Sequence, residues 1–385
     1  MLALGHLAGF WVAPRGVIRQ TYYAESNTES TTTSTADQDK VTLTATPDAN
    51  SDYFVIGCAL VGFSGVTNDT RAKLVNTTSA VTFNSLNVEG KDGTDYFSVF
   101  GAGKETYGAS PASQTWKWQY STESGLQTAK IKETRALVLK AGANDKYAES
   151  LAESTTTSAT PQDKVTLTET FVAGNYTFIF VADWGDDAVT TQGDVMLDID
   201  GTDYCLQNIF IDDTSTYKSV GGIVPNITLT AASHTIKMQY NSNGAATAKI
   251  RNAKIIALYQ GGFSVAQTVH QTTRDTNSTD DTYETVPGAS ITFTPTAKEH
   301  IIFASSLMDH SSNTSSGFNQ LLEGATVIAE MQEEPSAAGE EMAFFTMYRK
   351  TLTAVSTTWA IQHKPESTGT VGTDEAAIAI FQTGA

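Results

Sequence analysis

Side chains able to do chemistry are few in this chain and badly spaced for it. The six histidines, His6, His234, His270, His300, His310 and His363, are scattered so that no two stand four apart. An HExxH helix or a CxxC pair, spacings that hold a catalytic zinc, does not occur. Cys58 sits in the apolar run "YFVIGCAL" and Cys205 follows "DGTDY"; they read as small buried hydrophobes, not as a disulfide. A G-x-S-x-G nucleophile turn is missing, and "GFSG" at Gly62–Gly65 has the wrong spacing. Neither a P-loop nor a dinucleotide fingerprint is written.

Carboxylates are the remaining chemistry. The run from Asp183 to Asp203, "DWGDDAVTTQGDVMLDIDGTD", has the oxygen ligands a calcium ion takes but not the EF-hand spacing. It reads as a solvated set of loops and turns, with calcium binding left open. Glu333-Glu334 and Glu340-Glu341 lie in "EMQEEPSAAGEEM". Glycoside hydrolysis needs two carboxylates at a set separation, whereas adjacent acids in a Pro- and Gly-containing loop read as surface. The expectation is a protein that is not an enzyme, with no catalytic residue, no metal and no cofactor.

The elements around these residues read as strands. The chain has 385 residues, enough for two to four domains, and 58 are threonine. A β-branched residue suits a pleated, half-exposed surface. In "KVTLTAT" Val41 and Leu43 share one face and Thr42 and Thr44 the other. In "TWKWQY" Trp116, Trp118 and Tyr120 point one way, Lys117 and Gln119 the other. That period of two is the half-buried strand pattern. Asp92-Gly93 and Asp200-Gly201 predict tight hairpin turns.

The chain also repeats itself. "YAESNTESTTTSTADQDKVTLTAT" from Tyr23 and "YAESLAESTTTSATPQDKVTLTET" from Tyr147 agree at 18 of 24 positions. "KDGTDYF", ending at Phe97, pairs with "DIDGTDYC", ending at Cys205. Gln119-Tyr120 matches Gln239-Tyr240, and Ala129-Lys130-Ile131 matches Ala248-Lys249-Ile250. A diverged third copy runs through Ser290 and Thr357, with Gln362 in the Gln119 slot. The inward slots keep apolarity but change identity: Trp116/Trp118/Tyr120, Ile236/Met238/Tyr240, Trp359/Ile361/His363. Such drift fits a core, which tolerates repacking, better than an aromatic ligand platform.

These observations predict an all-β chain of three tandem antiparallel β-sandwich, jelly-roll-like domains at 21–141, 142–260 and 261–385, after an arm at 1–20. Short connectors, "KAGANDK" and "YQGGFS", predict a compact or stiff row. The arm's apolar stretch is shorter than the roughly 20 residues of a bilayer span. It lacks the basic start of a secretory signal. It reads as an anchor for a partner protein, with Phe10, Trp11 and Val12 at its centre, or else as a strand or coil folded onto the first domain. The formal charge of −18 disfavours nucleic acid and anionic lipid.

The recurring order is a Thr-rich strand, then "YFVIGCAL", "YTFIFVAD" or "HIIFASSL", a "DGT" hairpin, a "Q-Y/H" strand and "AKIRNAKIIAL". It resembles the C1q/TNF-like jelly-roll modules of bacteriophage virion proteins: fibres, spikes and capsid decoration proteins. The resemblance implies trimerisation through a sheet face and other virion proteins as partners. It also implies a place on the virion surface or an appendage after synthesis in the host cytoplasm; no catalytic residue carries over. The leading expectation is a structural virion component held by its arm, with the last domain displayed outward. Alternatives are an adhesin for a host glycan or protein, reading through Met308–Gly317, and a subunit of an extracellular filament. The doubled segment, with Glu29, Thr31, Thr33 and Glu153, Thr155, Thr157, is expected to make equivalent assembly contacts, either with each other's domains or with matching sites on a repeating partner, or else to be a Thr-rich edge strand and loop that nothing has forced to change.

Overall fold

Alternation in the first repeat produces nine strands in the computed structural model. They are β1 (Thr21–Ser26), β2 (Ser30–Thr32), β3 (Gln38–Ala45), β4 (Ser51–Phe63), β5 (Thr70–Asn76), β6 (Val81–Val88), β7 (Phe97–Tyr107), β8 (Gln114–Thr122) and β9 (Ala129–Lys140). The second repeat gives β10 (Lys146–Ser150), β11 (Ser154–Thr156), β12 (Gln162–Thr170), β13 (Gly174–Asp186), β14 (Gly193–Ile199), β15 (Thr202–Ile209), β16 (Lys218–Leu229), β17 (Ser233–Tyr240) and β18 (Ala248–Tyr259). The third gives β19 (Ala266–Gln271), β20 (Asp275–Asn277), β21 (Glu284–Phe293), β22 (Glu299–His310), β23 (Gly317–Glu323), β24 (Thr326–Glu333), β25 (Glu341–Thr351), β26 (Thr357–Pro365) and β27 (Val371–Gln382). The structure describes residues 19–64, 69–88, 93, 95–189, 191–211, 214, 216–243, 246–278, 281–335, 337–366 and 369–383. Among them no helix is long and apolar enough to cross a membrane.

Each repeat folds into two antiparallel sheets with the same strand order. An inner sheet runs β1-β9-β4-β7, and an outer sheet β3-β8-β5-β6. Units 2 and 3 repeat this as β10-β18-β13-β16 with β12-β17-β14-β15, and β19-β27-β22-β25 with β21-β26-β23-β24. This is the double-sheet jelly-roll architecture. The inward slots fill as their alternation requires: Trp116, Trp118, Ile236, Met238, Trp359, Ile361 and His363 are sealed between sheets. On the outer faces, threonines pair across strands at the same place in every unit: Thr44 with Thr115, Thr168 with Thr235, and Thr292 with Thr358.

The units do not form a row. The second face of each inner sheet is also apolar, and all three meet in one core. Phe54, Ile56, Phe100 and Leu139 of unit 1 join Ile179, Ile223 and Leu258 of unit 2 and Phe303, Phe345 and Phe381 of unit 3. Strands β7, β16 and β25 each contact the other two. The result is a closed ring about a pseudo-threefold axis, and unit 3 packs beside both others instead of being displayed beyond them. Burying one large apolar side chain is worth about 1.5–3 kcal/mol, so the shared core, more than the short connectors, holds the ring.

Cross-strand register defines equivalent positions. Phe100, Gly221 and Phe345 lie opposite Cys58, Val181 and Ser305, and are therefore counterparts. Phe100 and Phe345 meet edge to face, 5.3 Å between centroids. Gly221, at φ +150, can carry no side chain, because a Cβ would lie 2.2 Å from the Phe180 carbonyl oxygen.

One element of the repeat alignment is corrected. Asp200 and Gly201, with φ of 52 and 84, make the predicted tight turn between β14 and β15. Gly93 instead lies between β6 and β7, and Asp92 is outside the described residues. The unit 1 counterpart of the Asp200-Gly201 hairpin is residues 77–80, between β5 and β6. The two "DGTDY" strings therefore occupy different places in the fold.

Candidate functional site

Some of the polar side chains that the chain buries, Arg135, Lys254, Glu333 and Glu340 among them, lie at the junctions between units, while others, such as Asn76 with Glu105 and His363 with Thr373, lie inside one unit. Strands β6, β15 and β24 are edges of their outer sheets. An edge presents unpaired backbone groups that must be covered or solvated. In each case a neighbouring unit covers them, and the direction is cyclic: unit 1 covers β24, unit 2 covers β6, and unit 3 covers β15.

At the first junction Arg135, 1% exposed, crosses from β9. Its guanidinium donates to the Ile328 carbonyl at 2.6 Å and to Thr346 Oγ1 at 3.2 Å. Glu133 accepts from the Glu330 amide at 2.9 Å, and Tyr96 N donates to the Gln332 carbonyl at 2.7 Å. Burial pushes the Glu133 carboxyl up. At the second junction Lys254, the counterpart of Arg135, donates Nζ to the Phe83 carbonyl at 2.7 Å. Burial lowers its ammonium to about 8. The Phe100 amide donates to Ser219 Oγ at 2.9 Å.

The third junction reverses the chemistry. The counterpart of Arg135 is Ala377, and the crossing groups are carboxylates. Cys205 N donates to Glu375 Oε2 at 2.8 Å, Asn208 N to Glu341 Oε2 at 2.6 Å, and Phe210 N to Glu340 Oε1 at 3.4 Å. His270 Nε2 meets the other Glu375 oxygen. Lys218 binds Glu340 at 2.5 Å and approaches Glu333 at 3.8 Å. Burial, with Asp374, Asp309 and Asp194 nearby, pushes the Glu341 carboxyl up to about 8. Burial, then Glu375, holds the Cys205 thiol well above its usual range.

Several expectations are overturned here. Glu333 and Glu340 are buried, and the two acid pairs serve an inter-unit junction instead of an exposed loop. Asp183 and Asp186 are buried in β13, not in a solvated loop; Asp183 accepts from Asn252 at 2.7 Å and Arg251 at 3.3 Å. Met308 and His310, within the proposed receptor-reading stretch, are sealed in unit 3, leaving residues 311–314 at the surface. Both cysteines are buried and free, as expected.

Glu29, Thr31, Thr33, Glu153, Thr155 and Thr157 are exposed and remain within their own units. The doubled segment folds identically twice. Tyr96 donates its hydroxyl to Glu29, and Tyr217 donates to Glu153. Lys132 lies 3.9 Å over the Tyr96 ring and Arg251 3.9 Å over that of Tyr217. Lys40 donates to Ser30 Oγ and Lys164 to Ser154 Oγ. Phe10, Trp11 and Val12 lie outside the described residues; the described chain starts at Arg19, which is bound beside both connectors.

No family model matches the chain, and no curated protein does. Among solved structures it is similar to the triple jelly-roll turret protein of an archaeal virus: 10% identity, 89% of this chain and 83% of that one, TM-score 0.23. The infectious bursal disease virus VP2 subviral particle gives 8% identity, 96% and 81% coverage and a TM-score of 0.21. The CBM22 tandem domain of Paenibacillus barcinonensis Xyn10C gives 10%, 64%, 99% and 0.20.

Proposed function

We propose that this chain is a non-enzymatic structural protein of a virion, a capsid decoration or fibre and spike component that works by shape and attachment. The observation that carries the reading is the ring itself. One chain supplies three jelly rolls whose inner sheets close on a common core. A module that would otherwise trimerise through that sheet face has its trimer built in, so the particle receives one covalent body with pseudo-threefold form. The resemblance of the repeats to phage virion modules supplies the class.

The ring is polar along its axis. Arg19, the 142–145 connector and Thr383 gather at one end, around Asp145 and Glu299. The first described residue, Arg19, therefore lies at that end, and the opposite end carries the far loops. An anchor at the arm leaves the loops facing away from the particle.

Imaging of purified particles tests the reading, together with incorporation of a chain lacking residues 1–18. Density of ring shape at a fixed particle position is expected, with the truncated chain folded but left off. Absence of the protein from particles would overturn the virion role; normal incorporation of the truncated chain would overturn the anchor. Selective binding of the whole chain to a glycan array would move the reading to the adhesin.

A further inference from the structure

We infer that Cys205, His270 and Glu375 form a binding site for a zinc-class divalent cation that clasps unit 3 onto unit 2. Three observations carry this, and none depends on the virion reading.

The first is geometry. Cys205 Sγ, a ring nitrogen of His270 and a carboxylate oxygen of Glu375 all lie within 4.8 Å of one another. They come from β15, β19 and β27, three strands of two units, so an ion bound by all three must hold the junction. The second is donor type. Thiolate, imidazole and carboxylate together are the ligand set of Zn2+, with bonds of about 2.3, 2.0 and 2.1 Å. A harder ion would not take sulfur.

The third is the pattern of the other two junctions. There a cation reaches across from the position of Ala377: Arg135 to the Ile328 carbonyl and Lys254 to the Phe83 carbonyl. Each is set among acids, Arg135 near Glu25 and Lys254 near Asp183 and Glu149. At the third junction that position is Ala377, which carries no charge, and Glu375, two residues before it, faces His270. In the same register His270 stands where Glu25 and Glu149 stand, and Cys205 lies in the irregular stretch of β15 next to Tyr204, which is the counterpart of Asn84 and Ala329. The junction that has an alanine at the position of Arg135 and Lys254 is the one that brings a thiol, an imidazole and a carboxylate together. His270 and Glu375 are 13% and 12% exposed, so the site is largely shielded from water.

On binding, Zn2+ replaces the thiol proton of Cys205, which leaves to solvent, and takes a lone pair of the His270 ring; no electron moves. The His270–Glu375 contact opens to about 3.4 Å, the spacing of two ligands on a tetrahedral ion.

The test uses the whole chain, dialysed against a chelator and titrated with ZnCl2 by calorimetry, and with CoCl2 by optical spectroscopy. One equivalent of Zn2+ is expected, with a rise in Tm and a thiolate-to-cobalt charge-transfer band. C205S should abolish the band, and C205S and H270Q should each weaken Zn2+ binding at least about tenfold. C58S should bind as the parent does. Should C205S fail to fold, H270Q carries the test, because its amide can still hydrogen-bond Glu375. Absence of uptake by the parent, or unchanged affinity in H270Q, would overturn the site.

Discussion

Arg19 and Asp145 form a two-pronged ion pair, Nη1 to Oδ2 at 2.5 Å and Nη2 to Oδ1 at 3.0 Å. Their side chains are 4% and 0% exposed. The pair joins the start of the described chain to both connectors. Asp145 accepts from the Gly142 and Tyr259 amides, while Arg19 donates to the Gly262 and Tyr259 carbonyls and lies 3.9 Å over the Phe263 ring. Removing one partner strands a buried charge, at about 3–5 kcal/mol. R19M and D145L should each lower the unfolding free energy from urea denaturation by that much, and the double variant should recover part of the loss. Additive costs in the double variant would show that the two do not act as a pair.

Lys254 makes the second junction sensitive to alkaline pH. Its folded ammonium titrates at about 8, against 10.5 ordinarily. Between those values the unfolded chain holds more protons than the folded one, so stability rises with pH. Below pH 8 both states are charged, and burial of the charge is a cost. Relative to K254M, the parent should gain about 1–2 kcal/mol between pH 7.5 and 9.5, read from urea midpoints. A constant difference across that range would show that Lys254 is not desolvated as the fold requires.

The strands and their inward faces were legible because alternation is local: Trp116 and Trp118 announce one buried face wherever the sheet lies. Burial of both faces of the inner sheets was legible as well. "YFVIGCAL", "YTFIFVAD" and "HIIFASSL" do not alternate, and unbroken apolar runs are what a strand covered on both faces requires. β4, β13 and β22 are those strands, buried through most of their length. The junction acids were not legible. Glu340 reads as surface because its partners, the Phe210 amide and Lys218, are more than 100 residues away in sequence. The "DGTDY" match misled because a tight turn demands the same residues wherever it occurs.

Gly221 should be irreplaceable for a reason that Gly108 lacks. At Gly221 an added Cβ meets backbone, the Phe180 carbonyl oxygen, and φ is +150; at Gly108 nothing lies within 4 Å. G221A should cost about 2–4 kcal/mol, from strain and from overpacking against β13. G108A should stay within about 0.5 kcal/mol of the parent. Chemical denaturation measures both, and equal costs would show that the Phe180 carbonyl does not exclude a side chain at Gly221.

The doubled "ESTTTS" makes matching hydrogen bonds inside each unit, and this has a measurable consequence. Lys40 donates to the Thr28 carbonyl and to Ser30 Oγ, 2.9 Å; Lys164 donates to the Ala152 carbonyl and to Ser154 Oγ, 3.0 Å. Ser34 N donates to Thr32 Oγ1 and Ser158 N to Thr156 Oγ1, each at 3.0 Å. Burial lowers both ammonium groups in the same direction. K40A and K164A should therefore each cost about 1 kcal/mol, the worth of the hydrogen bonds released. The two costs should agree within about 0.5 kcal/mol, and should add in the double variant, since the loops are in separate units. If both variants keep the parent's denaturation midpoint yet fail to enter particles, the repeat is held by an outside contact and not by its own fold.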